Sequence, residues 1–275
     1  MSTNRSVPTD QLIEPGSSGL RVGHMTYLNS EVFYRHLPEE SCELVAMPPR
    51  AMAAAVDRGD LAAGPLPTAE VFRLGDAVRP LGNLGVASDG SANSVFLFSH
   101  LPVDKLNGKR IAVTTHTATS IQLLRVLFAD LWNVSGHEFV RTDESHDAAL
   151  WIGDPALERR SSGQYPYRYD LGRSWKGLTG LPFVFAEWVI RADVPRERAN
   201  QLERLVSQAT QAGTDFFQFS RSVEKELPRA CQNRMSPIIF GPSHISWARE
   251  SEEVSRSSGG GSNCCQNGDR HRWKM

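Results

Sequence analysis

The chain has 275 residues, 40% of them hydrophobic, and its 30 Lys and Arg nearly balance 31 Asp and Glu. That is enough apolar material for two ordinary domains or one large two-lobed one, while the near-neutral balance, with no basic stripe interleaved with aromatics, removes the electrostatic case for nucleic acid. No stretch approaches the continuous apolar length of a membrane span, and Cys42, Cys231, Cys264 and Cys265 show no C-x-x-C pair or regular spacing, so no metal site and no disulfide framework is expected and a cytoplasmic location fits best.

Residues 1–19 are polar, lack the apolar core of a secretory signal, and read as a disordered leader. Order begins at Leu20, where Leu20, Val22 and Met25 predict a buried strand running into a turn at residues 27–30, followed by a short helix over 31–36. Residues 42–47 predict a second strand. Pro48 and Pro49 open a helix that runs to Arg58, since proline is tolerated in a first helical turn, and Gly59 ends it as a left-handed cap. A small-residue strand over 61–66 and a helix over 67–74 complete an alternation of strand and helix typical of a parallel sheet. Strands are predicted at 81–87 and at the strongly apolar 94–99, separated by the turn 88–91.

Further on, residues 139–140 and 147–152 predict strands, 155–160 a helix start, 165–171 a β-prone run, and 175–180 a turn-rich loop. A strand at 182–190 and a long amphipathic helix at 195–219 follow, then one more short segment at 236–240. From about Trp247 the chain turns to Ser/Gly-rich low complexity, so 247–275 reads as a disordered tail.

The stretch RIAVTTHTATSIQLLRVLF at 110–128 organises the chemistry. An apolar strand (Ile111, Ala112, Val113) enters a turn dense in hydroxyls (Thr114, Thr115, Thr117, Thr119, Ser120), and a run of helical period (Ile121, Leu124, Leu127, Phe128) leaves it. The first N–H groups of such a helix have no intrahelical acceptor and carry partial positive charge, which makes a carboxylate or phosphate the natural guest. The competing reading is that Thr117, Thr119 or Ser120 simply caps its own helix. Asn29 stands near the carboxyl end of the first strand, where open α/β sheets bind ligands, and is equally suited to an ordinary turn.

Asn29, Ser94, the turn 114–120 and Asp154 all fall at strand ends or turns, so they point to one cleft between two α/β lobes. The expected division is lobe one at 20–98 and 186–246 and lobe two at 99–185, with extended crossings near Phe98 and Val184. No H-E-x-x-H, P-loop, G-x-G-x-x-G after a strand or G-x-S-x-G elbow is present, and the eight histidines are scattered. Metal, nucleotide and serine-hydrolase chemistry therefore have no support in the sequence.

Six blocks, VGHMTYLNS at 22–30, RGDLAAGPLPTAE at 58–70, ASDGSANSVFLFS at 87–99, RIAVTTHTATS at 110–120, ALWIGDPAL at 149–157 and DLGRSWKGLTGLPFVFAEWVIR at 170–191, resemble in order and spacing the chorismate dehydratases of the futalosine pathway of menaquinone biosynthesis. The resemblance runs from about residue 20 to 245. It implies a bilobed periplasmic-binding-protein-like type II fold and conversion of chorismate to 3-[(1-carboxyvinyl)oxy]benzoate with loss of water, a lyase reaction that needs no cofactor. The sister enzyme of the pathway, which makes 1,4-dihydroxy-6-naphthoate, usually carries a Ser-Pro-Cys-Pro-Asn-Asp-like block where this chain has Tyr27, Leu28, Asn29 and Ser30.

Matching to the family motifs points to Asn29 and Ser94 as the polar pair closest to the chemistry, with Thr115, Thr117, Thr119, Ser120 and the helix amides as carboxylate holders and Asp154 as an alternative base or a helix cap. Neither an amide nor an unactivated serine is a base at neutral pH, so a substrate carboxylate is the expected proton acceptor. A non-catalytic solute-binding protein for a small anion is the alternative that the same fold would serve; the polar leader, with neither an export signal nor a lipid-anchor cysteine, counts against it. The chain departs from the family after residue 245, where an amphipathic closing helix is usual. The sequence leaves the oligomeric state open.

Overall fold

The computed structural model describes residues 19–115 and 117–226, the side chains of 28, 29 and 215–226 excepted. The expected leader up to residue 18, the segment 236–240 and the tail lie outside the described residues. Ten strands and six α-helices are present among those described, arranged in two five-stranded sheets.

The first sheet contains β1 (Leu20–His24), β2 (Cys42–Ala46), β3 (Ala63–Pro67), β4 (Val78–Ser88) and β10 (Phe183–Arg191), in the order β2-β1-β3-β10-β4. The second contains β5 (Val95–Ser99), β6 (Arg110–Val113), β7 (Glu138–Arg141), β8 (Ala148–Ile152) and β9 (Tyr167–Asp170), in the order β7-β6-β8-β5-β9. β1, β2 and β3 are parallel, as are β6, β7 and β8. In each sheet the fourth strand, β10 or β5, enters antiparallel to both its neighbours. The sheets are therefore mixed where the opening alternation alone suggested parallel pairing, and the antiparallel member of each is the strand that arrives from the other sheet.

The two crossings lie side by side, since Phe183 pairs with Ser88 and Val184 with Ala87. The second lies ahead of Phe183 rather than at Val184, which is already paired with Ala87 in the first sheet. The first runs through residues 89–94 rather than near Phe98, because Val95–Ser99 is already hydrogen-bonded into the second sheet against Ile152–Ala148. A run of four consecutive apolar residues gives no sign of which sheet it enters, as both interiors accept it.

Packing follows the period-two alternation of the strands. On β10, Trp188 and Ile190 turn to one face, against Leu81, Phe33, Leu202 and Val206, while Val189 turns to the other, against Met52, Leu61 and Leu66. The first face is closed by α6 (Arg196–Glu226) and the second by α1 (Pro49–Arg58). α1 ends on Gly59 at φ 85°, as its sequence predicted. The second sheet is covered by α3 (Thr119–Val126) and α5 (Leu171–Thr179), whose Leu123, Leu124 and Leu171 pack on Leu97, Ile111 and Leu150. α2 (Thr68–Leu74) follows β3 and α4 (Asp154–Ser162) follows β8.

α5 occupies the stretch expected to be a turn-rich loop. Its two glycines and its Ser and Thr suggest a loop by composition. The physical signals of a helix are nonetheless there: the Asp170 carboxylate accepts the Arg173 N–H at the start, Leu171, Trp175 and Leu178 recur at helical spacing, and Gly180 ends it at φ 75°.

Candidate functional site

A cleft open to solvent lies between the two sheets and is lined by residues of both. Its walls come from the strand ends and helix starts of both: Tyr27 after β1, Ser88 at the end of β4, Ser94 before β5, Thr119 and Ser120 at the start of α3, and Gly153 at the start of α4. This is where α/β sheets of open type hold ligands. The remaining lining is apolar, with Met25, Val95, Ile152 and Phe185 among it, and among the described residues no Asp, Glu, Lys, Arg or His lines the cleft.

Two contacts join its sides. The Tyr27 ring lies against Gly153, where a Cβ would sit 3.1 Å from the ring. Gly153 holds φ 63° and ψ −147°, a backbone region open essentially to glycine alone, so both shape and conformation demand glycine here. On the other side, the Thr119 hydroxyl accepts the Ala69 N–H of α2 at 3.2 Å. Thr119 thus caps a helix of the first sheet from the start of a helix of the second.

The start of α3 is the most receptive point for an anion. Its N-cap position is Ala118, which lines the cleft with Thr119 and Ser120; no side chain caps the helix and its first turn holds no acidic residue, so no carboxylate there offsets the partial positive charge of the helix start. The expectation that Thr117, Thr119 or Ser120 caps this helix is therefore corrected. The Thr117 hydroxyl donates to the Thr114 carbonyl at 2.9 Å, and Thr119 serves α2. Ser120 is buried and lines the cleft. Thr115 is exposed, and neither it nor Thr117 is part of the lining.

Ser94 lines the cleft with its backbone fixed and its hydroxyl loosely held. Its carbonyl accepts the Gly153 N–H at 2.8 Å, while its hydroxyl makes only a 3.4 Å contact with the Ala92 carbonyl, near the limit of a useful hydrogen bond. Asn29 lies in the short 3-10 turn Leu28–Phe33, two residues beyond Tyr27. That turn is pinned to β1 by Tyr34, whose buried hydroxyl donates to the Gly23 carbonyl at 3.1 Å and accepts the Met25 N–H at 3.2 Å. Burial pushes the Tyr34 phenol far above its ordinary value, so it stays protonated.

Asp154 occupies the first helical position of α4, after Gly153 at the N-cap, and is not part of the lining. Its charge is felt at Tyr27, whose phenol is raised first by burial and then by the nearby Asp154 carboxylate. A neutral Tyr27 hydroxyl at the rim is a hydrogen-bond donor that residue-by-residue reading passed over. The signal was its place beside Asn29 at the strand end.

Among the described residues no group of three or more His, Cys, Asp or Glu is placed to hold a metal ion, and no helix is long and apolar enough to cross a membrane. A family model described as menaquinone biosynthesis matches residues 20–230. A chorismate dehydratase of Thermus thermophilus is 30% identical over 145 residues, 45% of this chain and 52% of that protein, so the chain spans about half the length of the curated relative it matches. In three dimensions the chain is similar to protein AF1704 from Archaeoglobus fulgidus, with TM-score 0.60 at 20% identity over 80% of this chain and 87% of that one. It is also similar to a ligand-binding component of an ABC-type import system from Staphylococcus aureus, with TM-score 0.54 at 9% identity over 78% and 82%. The alkanesulfonate-binding protein of Xanthomonas axonopodis gives TM-score 0.51 at 19% identity over 81% and 84%. The fold is thus the bilobed, periplasmic-binding-protein-like one, and the family match over residues 20–230 places the chain in the menaquinone-biosynthesis family.

Proposed function

We propose that this chain is a chorismate dehydratase, a carbon-oxygen lyase that converts chorismate to 3-[(1-carboxyvinyl)oxy]benzoate and water. The observation that carries this reading is the chemistry of the cleft: an apolar slot whose polar groups are hydroxyls and helix-start amides, with no charged side chain among the described lining residues. The similarity to a chorismate dehydratase supports it.

Chorismate brings two carboxylates and a ring one elimination away from aromaticity. The α3 amides and the Ser120 hydroxyl suit one carboxylate, and apolar walls suit the ring. In the elimination a base removes the ring proton next to the hydroxyl-bearing carbon, the C–H electrons become a ring double bond, and the C–O bond breaks to release the hydroxyl as water. The product is aromatic, so no redox partner is required. With no charged base in the described lining, a carboxylate of the substrate takes the ring proton and hands it to the departing hydroxyl, which leaves as water, and the protein supplies orientation. Ser94, with Asn29 in the neighbouring turn, hydrogen-bonds the departing hydroxyl or holds a carboxylate. Thr119 keeps the α2 and α3 starts together rather than contacting substrate.

The test is incubation of the purified chain with chorismate, followed by mass spectrometry. A product lighter by one water supports the reading. Binding of chorismate without turnover would favour a solute-binding role, and no binding would remove chorismate from consideration.

A further inference from the structure

Helix α5 does more than cover the second sheet: it grips both connections between the sheets. At the first connection, the Asp170 carboxylate accepts the Ala92 N–H at 2.9 Å through one oxygen and the Asn93 N–H at 2.7 Å through the other. Lys176, one and a half turns further along α5, pairs with Asp89 at 2.6 Å. Between them Gly172 lets the helix approach so closely that a Cβ there would sit 2.6 Å from the Gly90 carbonyl and 2.9 Å from the Ala92 nitrogen. At the second connection the Trp175 indole donates to the Pro182 carbonyl at 3.2 Å.

The held segment delivers Ser94. Asn93 takes a left-handed conformation, φ 58°, and its N–H is the one that Asp170 receives most closely. The next residue is Ser94, locked from the far side by the Gly153 N–H. Asp170 is itself fixed, because it ends β9 opposite Phe96. A carboxylate accepting backbone N–H groups is among the stronger hydrogen-bonding arrangements a protein can build, and here it stands behind a hydroxyl that lines the cleft.

We propose that Asp170 is a positioning residue: it anchors the crossing segment on α5 and so sets where the Ser94 hydroxyl stands in the cleft. This rests on the reading of Ser94 as a substrate-contacting group. Asp170 does not line the cleft and takes no part in the chemistry. Misplacement of a reacting group by about 1 Å costs on the order of 100-fold in rate, so loss of the anchor acts on turnover before it acts on affinity.

The test separates this role from the capping of α5. Asp170→Ser keeps a side-chain acceptor for the Arg173 N–H but is too short to reach Ala92 and Asn93. Two readouts are taken on the full chain: kcat and KM with chorismate, and backbone amide exchange over residues 89–95 and 171–179. The expected result is faster exchange at 89–95, near-unchanged exchange at 171–179, and kcat lower by about 10- to 100-fold with KM within about 3-fold. Asp170→Asn, which keeps the shape and one acceptor oxygen, is expected to fall between wild type and Asp170→Ser and covers the case in which the serine variant does not fold. Unchanged exchange at 89–95, or faster exchange there with unaltered kcat, overturns the proposal. If the wild-type chain does not turn over chorismate, the functional reading fails by itself, and the exchange measurement still decides whether Asp170 anchors the segment.

Discussion

Two stretches border the cleft with hydroxyl groups, and they use them in opposite ways. In the turn 114–120 two hydroxyls are spent inside the protein, Thr117 on the Thr114 carbonyl and Thr119 on the Ala69 N–H, while Thr115 is out in solvent. In the crossing 89–94 the backbone is what the protein holds, through Asp170 and Gly153, and the Ser94 hydroxyl is left with one long contact. The threonine turn thus works in part as a joint between helices, while in the lining the Ser94 hydroxyl is held loosely and the buried Ser88 hydroxyl has no partner in the protein. Density of polar side chains says less about a site than how many of them the fold has already used.

Substitutions break this contrast in a graded way. Ser94→Ala should lower kcat by about 100-fold, the usual scale for removing a preorganised hydrogen bond at a developing charge, while thermal unfolding stays close to wild type. Gly153→Ala should cost about 1–3 kcal/mol of stability, because alanine must adopt a glycine-only conformation with its Cβ against the Tyr27 ring. Denaturant unfolding measures it, and an unchanged midpoint would contradict the reading of Gly153 as a fixed joint. Thr119→Val leaves the Ala69 N–H without its acceptor, for an expected loss of about 1–3 kcal/mol and a raised KM, read from unfolding and steady-state kinetics. Thr115→Ala should leave turnover and stability near wild type, and a large effect on turnover would return that residue to the site.

A smaller effect lies far from the cleft and depends on pH. His137 is wedged between Phe128 and Phe139, its Nδ1 buried without a partner, and its pKa is lowered from 6.5 first by burial and then by Arg125. The unfolded chain therefore binds this proton at a higher pH than the folded one does. Stability should fall as pH drops below about 6.5 and level off once the folded-state value is passed. His137→Phe should flatten that part of the profile, measured as unfolding free energy against pH.

Much of the fold was legible because its signals are local. Pro49 and Gly59 bracket α1, and largely apolar runs at 183–190 and 148–152 mark β10 and β8, each independent of what packs beside it. The first crossing was misplaced because Val95–Ser99 is apolar on both faces, and its sheet is chosen by partners distant in sequence. α5 was hidden by Gly172 and Gly177, although Asp170 and Gly180 mark its two ends. At the site, Ser94 and Ser120 fall in the cleft lining and Asp154 outside it. Which hydroxyls are free could not be read from sequence, because the groups that occupy them, Ala69 for Thr119 above all, come from other elements. Nor could the service of Asp170 to the crossing, since its partners lie nearly eighty residues earlier in the chain.

The most direct measurement of the central claim compares chorismate turnover by the wild-type chain, Ser94→Ala and Thr117→Val under identical conditions, following the product that is lighter by one water. The account predicts turnover by the wild type and by Thr117→Val at similar rates, and a loss of about 100-fold in Ser94→Ala. Turnover retained in Ser94→Ala and lost in a folded Thr117→Val would contradict it, placing the chemistry in the threonine turn after all.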